Sequence, residues 1–123
     1  MKQIAPIKFH FFGEVWTLRF VELLDASGIS TINDQDIQIQ IVASPEATFN
    51  TITHELMESA IYLSGASYTV SYPGPKELFI FDHTGMDTIA CAVGGALFQI
   101  RKELEKRDKA VAAKQLKKSQ QTK

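Results

Sequence analysis

The chain has 123 residues, 45% of them apolar and 22% charged, and a net charge of −1. That length suits one domain, which buries roughly two thirds of the surface its unfolded form exposes, and the charge balance excludes a disordered or nucleic-acid-coating protein. A single cysteine, Cys91, excludes an internal disulfide framework and a cysteine-rich zinc site, so any metal must be held by histidine and carboxylates. The opening MKQIAPIKFHFFGEVW is interrupted by Pro6 and Lys8 and lacks the apolar core of a secretory signal. No apolar run approaches the roughly 18 residues of a membrane span, so a cytoplasmic protein with no membrane association is expected.

Residues 6 to 20 alternate apolar and polar, with Ile7, Phe9 and Phe11 on one parity and, after Gly13, Trp16, Leu18 and Phe20 on another. Two strands joined by a tight turn are predicted there. The segment DASGISTINDQ is rich in turn formers and reads as a loop. DIQIQIV, 36 to 42, is the cleanest strand signal, with Ile37, Ile39 and Ile41 on one face and Gln38 and Gln40 on the other. Ser44, Pro45 and Glu46 then form a helix start, each favoured by the unpaired amides or the dipole of a first turn, and the helix runs to Ser64 and stops at Gly65. YTVSY and ELFIF, separated by PGPK, read as a hairpin. Thr84 with Asp87 resembles a capping box, followed by Met86, Ile89, Ala90, Val93, Leu97, Ile100 and Leu104 at helical spacing.

The fold class this implies is α+β: a small, mainly antiparallel sheet packed by two helices, with one domain over residues 1–105. The remainder, 106–123, reads as a basic helix extension or disordered tail. Residues 1–100 hold four basic against eleven acidic side chains, a net −7, whereas 101–123 hold nine against three, a net +6. The tail has too few aromatic residues for a base-stacking surface, although its clustered charge leaves weak contact with nucleic acid or an acidic partner open.

The chemistry concentrates in the first helix, in HELME. Phe49, Ile52, Leu56, Ala60 and Leu63 fall in one sector of the helix and are expected to face the sheet. His54 and Glu58, one turn apart, share nearly the opposite side, flanked by Ala47, Met57 and Ile61. A helix apolar on two sides is expected between the sheet and a second layer, which places His54 and Glu58 in or beside a helix interface. There they require partners. A metal ion satisfies that need, and so does a mutual hydrogen bond. FDHTGMD, 81 to 87, offers further ligands in Asp82, His83 and Asp87. His83, expected on an inward parity, is the chosen third ligand, with Asp87 as the alternative. His54, Glu58 and His83 would surround Zn²⁺ and leave a fourth position for water, with Glu55 as general base.

An HExx sequence with a further ligand one turn on, on a helix preceded by a small sheet and followed by a second helix, resembles the minimal zincin-like metallopeptidases, including small phage-encoded proteins of that kind. The resemblance spans about residues 7 to 105 and rests on His54 and Glu55. At Glu58 the family has histidine, so the motif here is HExxE in place of HExxH. The resemblance implies a zinc-dependent hydrolase acting on a protein or peptide, active or catalytically degenerate, in the host cytoplasm if phage-encoded. The competing expectation is a non-catalytic phage-type accessory or inhibitory protein that acts by binding a protein partner.

Three further residue groups carry bland expectations. His10 is expected exposed on its strand. Cys91, mid-helix in IACAVGG, is expected to be a small buried side chain. Gly94 and Gly95 cost about 1 kcal/mol each relative to alanine inside a helix, so a close backbone approach by the first helix is expected there.

Overall fold

Alternating apolar residues bring the first two strands together as expected: β1 (Ile7–Phe11) pairs antiparallel with β2 (Glu14–Val21) in the register Phe11↔Glu14 and Ile7↔Leu18. The computed structural model describes residues 4–22, 27–41, 44–65, 67–70, 76–80 and 82–121, with the backbone alone for 67–70 and 76–79. The β1–β2 turn is the dipeptide Phe12–Gly13, with φ of +50° and +74°. Positive φ at both positions matches the right-handed twist of the flanking strands. Phe12 accepts that backbone while its ring stands edge-on to Phe11, centroids 4.9 Å apart.

The segment read as a loop holds a strand. β3 (Gly28–Thr31) pairs antiparallel with β4 (Asp36–Gln40), and β4 inserts parallel to β2, giving a four-stranded mixed sheet in the order β1-β2-β4-β3. One face of the sheet carries Ile7, Phe9, Phe11, Trp16, Leu18, Ile37 and Ile39, all buried. The other is largely polar, with Lys8 donating to Thr17 Oγ1 (2.6 Å) and Arg19 to Asp36 (2.7 Å).

α1 (Pro45–Leu63) begins where the cap signal places it: Ser44 Oγ accepts from the Ala47 amide at 3.3 Å, and Pro45 occupies the first turn. It ends before Gly65, whose φ of +73° is the left-handed conformation that favours glycine. Ile52, Leu56 and Ala60 are fully buried, as expected, whereas Leu63 is partly exposed. The short strands β5 (Ser67–Val70) and β6 (Lys76–Phe79) form the expected hairpin as a separate two-stranded sheet. Residues 71–75 between these strands, with the expected Pro73–Gly74–Pro75, and Phe81 beyond them lie outside the described residues.

α2 (His83–Gln121) is one continuous helix of 39 residues, about 58 Å long at 1.5 Å per residue. Its cap is not Thr84. Asp82 Oδ1 accepts from the Gly85 amide at 2.8 Å, which starts the helix at His83. Ile89, Val93, Ala96 and Ile100 enter the core. Gln99 then spans the outer edge of β1, accepting from the His10 amide (2.7 Å) and donating to the His10 carbonyl (3.0 Å), so the carboxamide stands in for a neighbouring strand. Arg107 donates to the carbonyls of Ala5 (2.6 Å) and Pro6 (3.0 Å). From residue 108 to 121 every position of the helix is exposed, so the basic segment continues α2 as a helical extension.

Two expectations for α2 are corrected. A Cβ at Gly94 or Gly95 would meet nothing within 4 Å, so no backbone approaches them. Both glycines and Cys91 are exposed, because the buried stripe through Ile89, Val93, Ala96 and Ile100 lies on another side of the helix. The His10 side chain is exposed, as expected.

Among the described residues, one buried side-chain oxygen has no hydrogen-bond partner, Ser59 Oγ on the inner face of α1. An unpaired buried hydroxyl costs about 1–3 kcal/mol. Ser59→Ala is therefore expected to raise the free energy of unfolding by about 1 kcal/mol, read from the urea midpoint, and a loss of stability would mean that the hydroxyl has a partner in solution.

Candidate metal centre

α1 presents its HELME turn beside β3, the last strand in the order of the four-stranded sheet. His54 Nε2 and Glu58 Oε2 are 3.1 Å apart, as the i, i+4 spacing requires. Their side chains are 71% and 49% exposed, which corrects the expectation of a helix interface. The buried arc of α1 is centred on Ile52, Leu56 and Ser59. On the His54 side only Ile61 joins the core, while Met57 stays half exposed. The second layer therefore covers only part of that side and leaves the pair open to solvent.

Glu55 behaves in the opposite way. One residue on from His54, it turns toward the sheet and is only 7% exposed. Its Oε2 accepts a 2.5 Å hydrogen bond from Ser30 Oγ. In the β3–β4 register Gly28 pairs with Ile39 and Ser30 with Ile37, so both sit on the inner parity of the sheet, beneath α1. A Cβ on Gly28 would stand 2.8 Å from Glu55 Cγ and 2.9 Å from Oε1. The carboxyl group thus occupies the space left by a missing side chain, with a hydroxyl two residues along the strand to hold one of its oxygens.

The ligating atoms of His54, Glu55 and Glu58 all lie within 4.8 Å of one another, and this is the one such group of three among the described residues. It borders an open cleft of about 420 Å³ whose walls are Ser27 and Gly28 from the β3 side and Asn50, Thr51, His54 and Glu55 from α1. His83 does not join it. As the first residue of α2 it is 84% exposed, with Nε2 3.7 Å from Asp87 Oδ2, so the inward position expected from strand alternation is not realised. Asp82 is occupied in capping α2. Both alternatives for the third ligand, His83 and Asp87, therefore belong to a second, exposed i, i+4 pair.

The chain matches no family model, no curated protein and no solved structure. Among the described residues no helix is long and apolar enough to cross a membrane.

The residues that sequence reasoning missed are Gly28 and Ser30. No spacing rule links them to HELME, because their relation to Glu55 arises from a strand pairing 25 residues earlier in the chain. The available signal was compositional: small residues alternate with Ile29 in GIST, a pattern suited to a sheet edge that another group covers.

Proposed function

We propose that the HELME turn binds one divalent metal ion and that the protein is a zinc-dependent hydrolase of metallopeptidase type, built on an HExxE variant of the motif. The observation that carries this reading is the 3.1 Å approach of His54 and Glu58 beside a second, buried carboxylate, that of Glu55. Zinc bonds to histidine nitrogen and carboxylate oxygen are both about 2.0–2.2 Å, so two donors roughly 3 Å apart suit one ion. One imidazole and one carboxylate would hold it, with the other positions left to water. When bound, such an ion polarises a carbonyl and acidifies water.

Glu55 would take the proton. Ser30 occupies its Oε2, and among the described residues nothing else donates to the carboxylate, which leaves Oε1 to accept a proton from an attacking water. The water oxygen bonds to the peptide carbonyl carbon, the C–N bond breaks, and the proton passes to the departing amine. The 420 Å³ cleft beside Glu55 is where a peptide carbonyl would lie. Glu55→Gln should abolish hydrolysis of a responsive peptide, by 100-fold or more, while zinc remains bound. Full activity in Glu55→Gln would show that Glu55 is not the base.

A second reading is a phage-type accessory or inhibitory protein that binds a protein partner. Met57 and Tyr62, large side chains exposed near Glu58 on the same helix, favour it. On that reading the His54–Glu58 contact is an ordinary surface pair, and zinc leaves stability unchanged.

A further inference from the structure

We propose that β3 is part of the site: Ser30 and Gly28 are positioning residues that set the orientation of the Glu55 carboxylate. This rests on the reading of Glu55 as proton acceptor and extends the site from one helix to the sheet edge. Three observations support it. Glu55 is nine-tenths buried although it is ionisable and its neighbours His54 and Glu58 are exposed, so its carboxylate is held against the sheet. The 2.5 Å bond from Ser30 Oγ fixes Oε2, and a donor to one carboxylate oxygen orients the other. The third is the shape of the shelf that Gly28 and Ser30 of β3 form beneath Glu55. A methyl at Gly28 would come within 2.8–3.1 Å of Glu55 Cγ, Oε1 and Cδ.

The atoms that a Gly28 side chain would strike are at the far end of Glu55, which has free torsions, and not backbone. Gly28→Ala is thus expected to displace the carboxylate while leaving strand pairing intact. Ser30→Ala removes the donor without adding bulk. The two substitutions release the same carboxylate by unrelated means, one by crowding and one by loss of a bond.

The experiment uses full-length protein loaded with zinc and two titrations, one with zinc itself and one with acetohydroxamate. This small chelator carries a hydroxyl proton that needs an acceptor beside the metal. Expected are zinc affinities within about 2-fold of the parent in Ser30→Ala and Gly28→Ala. Acetohydroxamate should bind about 10-fold or more weakly to both, as to Glu55→Gln, in line with the 10–100-fold effects of partners outside the ligand set. Ser30→Thr, which keeps the hydroxyl, should restore parent affinity. A merely structural serine would shift the unfolding midpoint without this selective loss. Parent-like hydroxamate binding in Ser30→Ala and Gly28→Ala, with weakened binding in Glu55→Gln, would overturn the shelf and leave the base in place. Parent-like binding in Glu55→Gln, or no zinc binding by the parent, would overturn the reading of Glu55 and the shelf with it.

Discussion

Trp16→Ala should remove about 3–5 kcal/mol of stability, the cost of deleting a large buried aromatic side chain and leaving a cavity. Trp16 is 1% exposed at the centre of the inner sheet face, edge-on to Phe11 with centroids 5.2 Å apart and planes at 89°. It pairs in register with Phe9, so its ring lies between β1 side chains and the helices above. A domain of this size has roughly 5–15 kcal/mol in all, so the variant should lose a large share of its stability and unfold at a much lower urea concentration. Trp16 is the only tryptophan, and unfolding must be followed by circular dichroism. Val15→Ala, one residue away but exposed on the opposite face, is the control and should cost less than about 0.5 kcal/mol. Equal costs for the two would mean that the sheet is not covered on the Trp16 side.

The second large effect concerns zinc. Without metal, the His54–Glu58 contact is an exposed i, i+4 pair, worth no more than about 0.5 kcal/mol. His54→Ala should accordingly unfold at the same urea concentration as the parent. With zinc at 100 times its dissociation constant the parent should gain about 2.7 kcal/mol, because a site absent from the unfolded chain couples binding to folding. His54→Ala should gain almost none of it. Glu58→His restores HExxH and replaces an anionic donor by a neutral imidazole at the same helical position, so it should still gain stability from zinc. A zinc response retained in His54→Ala would place the ion elsewhere.

The elements that alternate or carry strong caps were legible in the chain. β1, β2 and β4 follow the period-two pattern, and α1 begins at Ser44–Pro45 and ends before Gly65. β3 was not legible, because Gly28 and Ser30 resemble turn residues, and they are small for a tertiary reason, the Glu55 carboxyl above them. The pairing of His54 and Glu58 followed from helical spacing alone, since i and i+4 meet on any α-helix. Their exposure did not, because Ala47, Met57 and Ile61 suggested a second apolar side that α2 covers only in part. His83 was misplaced because Asp82 caps α2, which turns the next residue into the first turn of a helix. Glu55 illustrates the limit most clearly: HExx marks it beside a histidine, but only the fold shows that it points inward while its neighbour points out.

The most direct test is a calorimetric zinc titration of tag-free, metal-depleted protein, run in parallel on His54→Ala. Saturable binding of one zinc per chain is expected for the parent, and its loss in His54→Ala. No saturable binding by the parent, or the same isotherm from His54→Ala, would contradict the proposed metal site.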